Sequence, residues 1–297
     1  MENRKRIFYL AVAGMVLLSI FFNGFFTPLN AENYLDEVVT LIRDRSPVVC
    51  AQPAFVGPVL QNYILRQVSN PTGTLVLFTG GGGRLNLDIQ DSQNKRYGLN
   101  SSTNFLVRSR HLFASFGFNI AVVDAATDFL ACNGFLTGRR LWPQHLSDIE
   151  AVITDLRTKF PDLPVWVVGT SMGSVSAAQA GTIPLTSPGT PDGIVLTSSV
   201  TRPQEIDNVL RVNLESICVP TLIVPNEQDA CPNTPPEDVE IIASRLTSAP
   251  KIKVIRLSGG FTPISGECDA LSYHGFLGIE PKVAARISKW IINQIVK

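Results

Sequence analysis

The chain has 297 residues, enough for one large α/β domain or two small ones with a sizeable core. Hydrophobic residues make up 45% and charged residues 17%, spread along the whole length, which excludes a disordered chain. Lys plus Arg equals Asp plus Glu at 25 each, and no basic stretch follows the first few residues, so no nucleic-acid partner is expected.

At the N-terminus, Arg4, Lys5 and Arg6 precede the uncharged apolar run Ile7–Phe22, the layout of an export signal. Asn23, Gly24 and Pro28 break the run, and Ala31 offers a small residue before Glu32, although Leu29 matches a signal-cleavage site poorly. Residues 1–31 are read as a signal peptide cleaved near Ala31; the rival is an uncleaved anchor, since Ile7–Phe26 reaches the roughly 20 residues a bilayer needs. Either way residues 32–297 are expected as a single domain outside the cytoplasm, periplasmic or secreted, or, if the N-terminal segment is not cleaved, anchored to the membrane through that segment alone. Cys50, Cys132, Cys218, Cys231 and Cys268 fit an oxidising compartment, and their odd number leaves at least one unpaired. No C-x-x-C pair occurs and the chain has three histidines, so neither a metal nor another cofactor is expected.

Along the chain, Tyr34–Asp44 reads as a short amphipathic helix, and Tyr63–Val68 as a strand closed by the turn signal Asn70-Pro71. From Thr74 onward strands and helices alternate: strand Thr74–Phe78, helix Thr103–Phe116, strand Asn119–Val123, helix Gln144–Phe160, strand Val165–Val168 and helix Met172–Ala180. The order continues with strand Gly193–Thr197, helix Gln204–Val212, strand Thr221–Val224, helix Glu237–Leu246, strand Ile252–Leu257 and helix Pro281–Ile295. Such alternation predicts an α/β fold, a mostly parallel twisted sheet with helices on both faces. Two long connections, Gly80–Ser102 and Asp124–Pro143, follow strands and belong at the carboxyl edge of the sheet, where open α/β sheets bind ligands.

Gly169-Thr170-Ser171-Met172-Gly173 stands between the strand Val165–Val168 and a helix of small residues. A G-x-S-x-G turn this tight forces the serine into strained backbone angles, admits only glycine at the flanks and lifts the hydroxyl clear of the sheet. On this motif and its strand–helix context, the stretch from about Thr74 to Ile295 resembles the α/β-hydrolase superfamily. The resemblance implies a nucleophile, acid and histidine in that chain order. Val219-Pro220-Thr221-Leu222-Ile223-Val224-Pro225-Asn226-Glu227-Gln228-Asp229 is similar to the family's penultimate strand and acid loop, which places Asp229 at the acid position with Glu227 as competitor. Asn226 replaces the usual glycine, and asparagine accepts left-handed backbone angles. Of His111, His145 and His274, only His274 follows the acid. The expected catalytic residues are therefore Ser171, Asp229 and His274, forming an acyl-enzyme.

The oxyanion formed on serine attack needs backbone donors. The superfamily places one at the residue after the nucleophile, here Met172, and another after the first strong strand, here Gly81 or Gly82 in Thr79-Gly80-Gly81-Gly82-Gly83. A phosphate-cradling loop is the competing reading of the glycines, but no G-K-[ST] ending follows. His145 with Asp148 is read as a cap or internal hydrogen bond, and Asp124 as a turn residue that binds backbone amides. Cys231 and Cys268 flank the acid and base loops, which suggests a disulfide clamping them, with Cys218–Cys231 as the alternative.

Ser198–Val219 leaves no room for a large cap domain. The site walls are expected from the two long loops and Gly259–Tyr273, with Leu85, Leu87, Phe129, Phe135, Leu136 and Phe261 as apolar contacts. The partner implied is a small-molecule acyl substrate, a carboxylic ester or thioester. An amidase or peptidase with the same triad, and a non-catalytic hydrolase-like binding protein, are the alternatives.

Overall fold

A computed structural model describes residues 36–50, 55, 57–87, 103–202 and 204–295. The leader 1–31 lies outside the described residues, as do residues 88–102 of the first long connection. Eight strands form one sheet: β1 (Glu37–Arg43), β2 (Val59–Arg66), β3 (Gly73–Phe78), β4 (Phe118–Val123), β5 (Val165–Thr170), β6 (Gly193–Thr197), β7 (Thr221–Val224) and β8 (Ile252–Val254). Their order is β1-β2-β4-β3-β5-β6-β7-β8. The pairs β1–β2 and β2–β4 are antiparallel and every other pair is parallel.

The helices are α1 (Phe105–Ser115), α2 (Thr127–Leu130), α3 (Pro143–Lys159), α4 (Gly173–Gly181), α5 (Val239–Arg245) and α6 (Glu280–Ile295). Strand periodicity decides which face each one covers, because successive side chains point to opposite sides. Val76 and Phe78 of β3, with Val165 and Val167 of β5, pack among α3, α4 and α5 side chains such as Ile153, Val175 and Ile242. Leu75, Leu77, Trp166 and Val168 point the other way, onto Leu106 and Phe113 of α1 and Ile287 and Ile291 of α6. Trp166 meets Trp290 edge-on at 5.4 Å, and it fits beside β6 only because Gly193 lacks a side chain: a Cβ there would fall 2.1 Å from the Trp166 ring. Local signals set the helix starts. Asn104 caps α1 by accepting the Leu106 N–H at 3.0 Å, and Pro143 opens α3.

Two expected helices are absent. The segment read as an amphipathic helix over Tyr34–Asp44 is, where described, β1, paired with β2 from Glu37↔Leu65 to Arg43↔Val59. Its Val38, Val39, Thr40 and Ile42 are β-branched, and a partner edge settles what a short apolar pattern leaves ambiguous. Gln204–Val212 gives only a 3₁₀ turn at Val209–Arg211, followed by another at Leu214–Ser216. Asp207 there accepts the backbone N–H groups of Arg139 and Arg140, and Asn208 bonds to Glu205 O, so both side chains compete with a helix. Between β6 and β7 the described residues build no large cap.

Candidate active site

The glycine turn after β3, the Ser171 turn after β5, the Asp229 loop after β7 and the His274 loop after β8 all leave the carboxyl ends of parallel strands, so they gather at one edge of the sheet. Ser171 has φ 54°, the strained left-handed geometry expected of the turn. Its flanking glycines are sterically required. A Cβ on Gly169 would lie 2.1 Å from Gly173 O, and one on Gly173 would lie 2.1 Å from Phe78 O. The Ser171 N–H donates to Thr197 O at 3.0 Å, and Ser171 O accepts from Ser174 N at 2.9 Å. The hydroxyl thus stands at the N-terminus of α4, whose first amides favour negative charge.

Asp229 and His274 are both buried, and His274 Nδ1 lies 2.9 Å from Asp229 Oδ2. A carboxylate only accepts, so Nδ1 carries the proton and Nε2 is left as a base. Ser171 and His274 line the same open pocket of about 380 Å³, together with Gly80, Gly81, Thr103, Asn104, Phe105 and Ser265. Glu227, the competitor for the acid position, is exposed.

Around this pair stand side chains that no sequence signal singled out. Thr234 Oγ1 donates to Asp229 Oδ2 at 2.9 Å and lies 3.1 Å from His274 Nδ1; Cys231 N donates to Asp229 Oδ1 at 3.0 Å. Ser198, at φ 42°, donates its hydroxyl to His274 O at 2.8 Å. Asn226 serves differently from the sequence expectation. It is not among the residues of positive φ; it is buried, and its Nδ2 donates to Tyr273 O at 2.9 Å, tying the acid loop to the base loop.

Of the three amides expected for the oxyanion, Met172 directly follows Ser171 at the cap of α4. Gly81 lines the pocket, and Gly80 approaches the serine closely, since a Cβ on it would lie 2.9 Å from Ser171 Cβ. Gly82 does not line it: it packs on Phe135, and its carbonyl accepts from Leu136 N. The expected apolar walls are also displaced. Leu85, Leu87, Phe129 and Leu136 are core residues, Phe135 stacks under Arg84, and Phe261 is exposed; none lines the pocket. Its described walls come instead from the start of α1 and the segment 265–275, a mixed polar and apolar lining.

Residues 136–251 match the family described as Serine aminopeptidase, S33. Among solved structures, the chain is similar to a peroxisomal α/β-hydrolase of Saccharomyces cerevisiae at TM-score 0.57 and 11% identity, covering 89% of this chain and 90% of that one. The chain has the α/β-hydrolase fold. It is similar also to an esterase of Pyrococcus furiosus (TM-score 0.55, 13% identity, 87% and 90% covered) and a thermostable carboxyl esterase of Bacillus coagulans (0.53, 13%, 87% and 99%). No curated protein sequence gives a significant match.

Two other polar groups of this fold take structural roles. Asp124 accepts the N–H groups of Leu85, Leu87 and Ala125 at 2.7–3.0 Å, while burial pushes its carboxyl up to about 6. His145 is buried against Ser176 Oγ at 2.9 Å, and Asp148 instead binds Arg43 and Arg45. Disulfides join Cys231 to Cys268, as proposed for the two loops, and Cys50 to Cys132, a pairing with no local sequence signal; Cys218 is free and exposed. Among the described residues no helix is long and apolar enough to cross a membrane, and no group of three or more His, Cys, Asp or Glu could hold a metal ion.

Proposed function

We propose that the protein is a serine hydrolase that cleaves an ester-like bond through an acyl-enzyme. Ser171 Oγ attacks the carbonyl carbon while His274 Nε2 takes its proton, and His274 then protonates the departing oxygen. Asp229 fixes the imidazole tautomer and stabilises the imidazolium. The amides of Met172 and Gly81 receive the oxyanion. Water, activated by the same histidine, then releases the acid. The observation that carries this reading is the 2.9 Å contact between His274 Nδ1 and Asp229 Oδ2 at the wall of the pocket that Ser171 also lines.

Labelling by a fluorophosphonate probe tests it: the native protein labels and Ser171→Ala does not, with ester turnover falling on the order of 10⁶-fold, the scale of losing a triad serine. A native protein that does not label would instead indicate a binding module. Because the matched family description names an aminopeptidase, peptide anilides form the second arm of the assay beside p-nitrophenyl esters. The preference for esters rests on the two esterase-like folds above. The two disulfides support export to an oxidising compartment. Sequencing the N-terminus of the mature protein distinguishes cleavage near Ala31 from a retained anchor.

A further inference from the structure

The glycine turn is held between two side chains. Gly80 lies against Ser171, and Gly83 lies against Arg140, where a Cβ would fall 3.1 Å from Nη2. Arg140 is wholly buried and does not line the pocket. Its Nη2 donates to the carbonyls of Thr79 at 3.0 Å and Gly81 at 2.8 Å, and its Nη1 donates to Ser176 Oγ at 2.6 Å. The carbonyl between them, Gly80 O, accepts from Gly83 N at 3.3 Å. Three successive carbonyls of the turn are therefore engaged.

In a planar trans peptide the N–H points opposite to the C=O. Fixing carbonyls 79, 80 and 81 fixes the N–H directions of Gly80, Gly81 and Gly82, and none of these amides meets an acceptor among the described residues. Four consecutive glycines have more conformational freedom than any other sequence, so left alone this turn would sample many orientations. An oxyanion site gains its strength from donors that are already oriented before charge develops. A buried guanidinium is costly without partners, yet the described acceptors of this one are two turn carbonyls and a hydroxyl rather than a carboxylate. The nearby carboxylate, Asp207, holds the backbone amides of Arg139 and Arg140 instead.

We propose that Arg140 is a positioning residue for the oxyanion site: by gripping the Thr79 and Gly81 carbonyls it fixes the peptides on either side of the Gly80–Gly81 peptide, whose N–H is the proposed donor, and sets a buried positive charge behind that turn. Burial lowers its pKa to about 10, with Asp207 pulling it back up, so the charge is present at neutral pH. The inference rests on the reading of Ser171 as nucleophile.

The test compares wild type, Arg140→Lys and Arg140→Gln. It measures turnover of p-nitrophenyl butyrate per serine labelled at completion by fluorophosphonate, and inhibition by an alkyl trifluoromethyl ketone, whose hemiketal oxyanion occupies the same donors. Arg140→Gln lowers kcat by about 10²- to 10³-fold, the worth of an oxyanion donor, with KM changed less than about threefold. The ketone inhibition constant rises by the same factor as kcat/KM falls. Arg140→Lys, which keeps the charge but not the two-carbonyl grip, falls between. An inhibition constant that stays put, whether kcat/KM falls or not, overturns the proposal. If the Arg140 variants do not fold, Ser176→Ala reads the same quantity by freeing Nη1: about a three- to tenfold weaker ketone at unchanged KM supports the proposal, and an unchanged affinity overturns it. A wild type inert to fluorophosphonate fails the serine-hydrolase reading itself, whereas a reactive wild type with variants of equal ketone affinity fails the role of Arg140 alone.

Discussion

At the scale of single residues, the turn around Ser171 is governed by backbone clearance. A methyl on Gly169 would overlap Gly173 O at 2.1 Å, and both partners are main-chain atoms that cannot swing aside. Gly169→Ala is expected to destabilise the protein by about 3 kcal/mol or more, read as a lowered urea midpoint; a midpoint matching wild type would contradict the steric account. Thr234 poses a chemical rather than a steric question. Its hydroxyl is a second donor to the same Asp229 oxygen that faces His274. Thr234→Val keeps the shape and removes that donor, so kcat should drop by about three- to tenfold while the melting temperature stays within a few degrees. Equal kcat in the two proteins would reduce Thr234 to packing.

At the scale of elements, strand pairing and core packing hold the body, and the site loops carry links of their own. The Cys231–Cys268 bond, with Cα atoms 4.6 Å apart, ties the acid loop to the base loop, and Asn226 to Tyr273 ties them again by a hydrogen bond. Replacing both cysteines of this pair by serine should cost about 2–4 kcal/mol and also lower kcat per folded molecule, because Asp229 and His274 lose a shared anchor. The Cys50–Cys132 bond fastens the segment before β2 to the segment after α2, away from the pocket lining, so its removal should cost stability without lowering kcat. Steady-state kinetics on the two double variants, normalised to folded protein, decides this; equal kcat for both removes the clamp from the mechanism.

For the molecule as a whole, stability should depend on pH through two buried titratable groups, His145 and Asp124. Burial, reinforced by the positive charges of Arg140 and Arg45, holds His145 well below its ordinary 6.5, so it stays neutral in the folded state. The unfolded chain takes up a proton near pH 6.5 and the folded one does not. The contribution of His145 is therefore complete above about pH 6.5 and is lost as pH falls below it, with a slope approaching about 1.4 kcal/mol per unit. Asp124 acts with the opposite sign: its raised pKa contributes stability below about 4 that is lost as pH rises through about 6. Urea unfolding of wild type and His145→Gln from pH 7.5 to 5 separates the two, since the variant should lack the acid-side decline. A parallel decline in both would assign it to other groups.

The bounds of β6 and β7, the positions of α3 and α6, and the tight glycine-flanked turn at Ser171 were all legible in the sequence. Each follows from local rules: a side-chain period of two or 3.6, a cap, or a motif within ten residues. The failures share a cause. β1 became a strand because β2 offered it an edge, the Gln204–Val212 segment lost its helix because Asp207 reaches Arg139 and Arg140 nearly seventy residues away, and Leu85 and Phe129 went to the core and not to the pocket. Thr234, Ser198 and Arg140 carry no motif; their importance comes from hydrogen bonds to residues distant in the chain, which exist only once the strands are ordered in the sheet. The sequence by itself determined the fold class, the serine turn and the types of residue available for chemistry, because these depend on neighbours along the chain. Only the tertiary structure decided which carboxylate meets the histidine, which glycines face the pocket and what braces them, because those outcomes depend on distances that close when the sheet edge assembles.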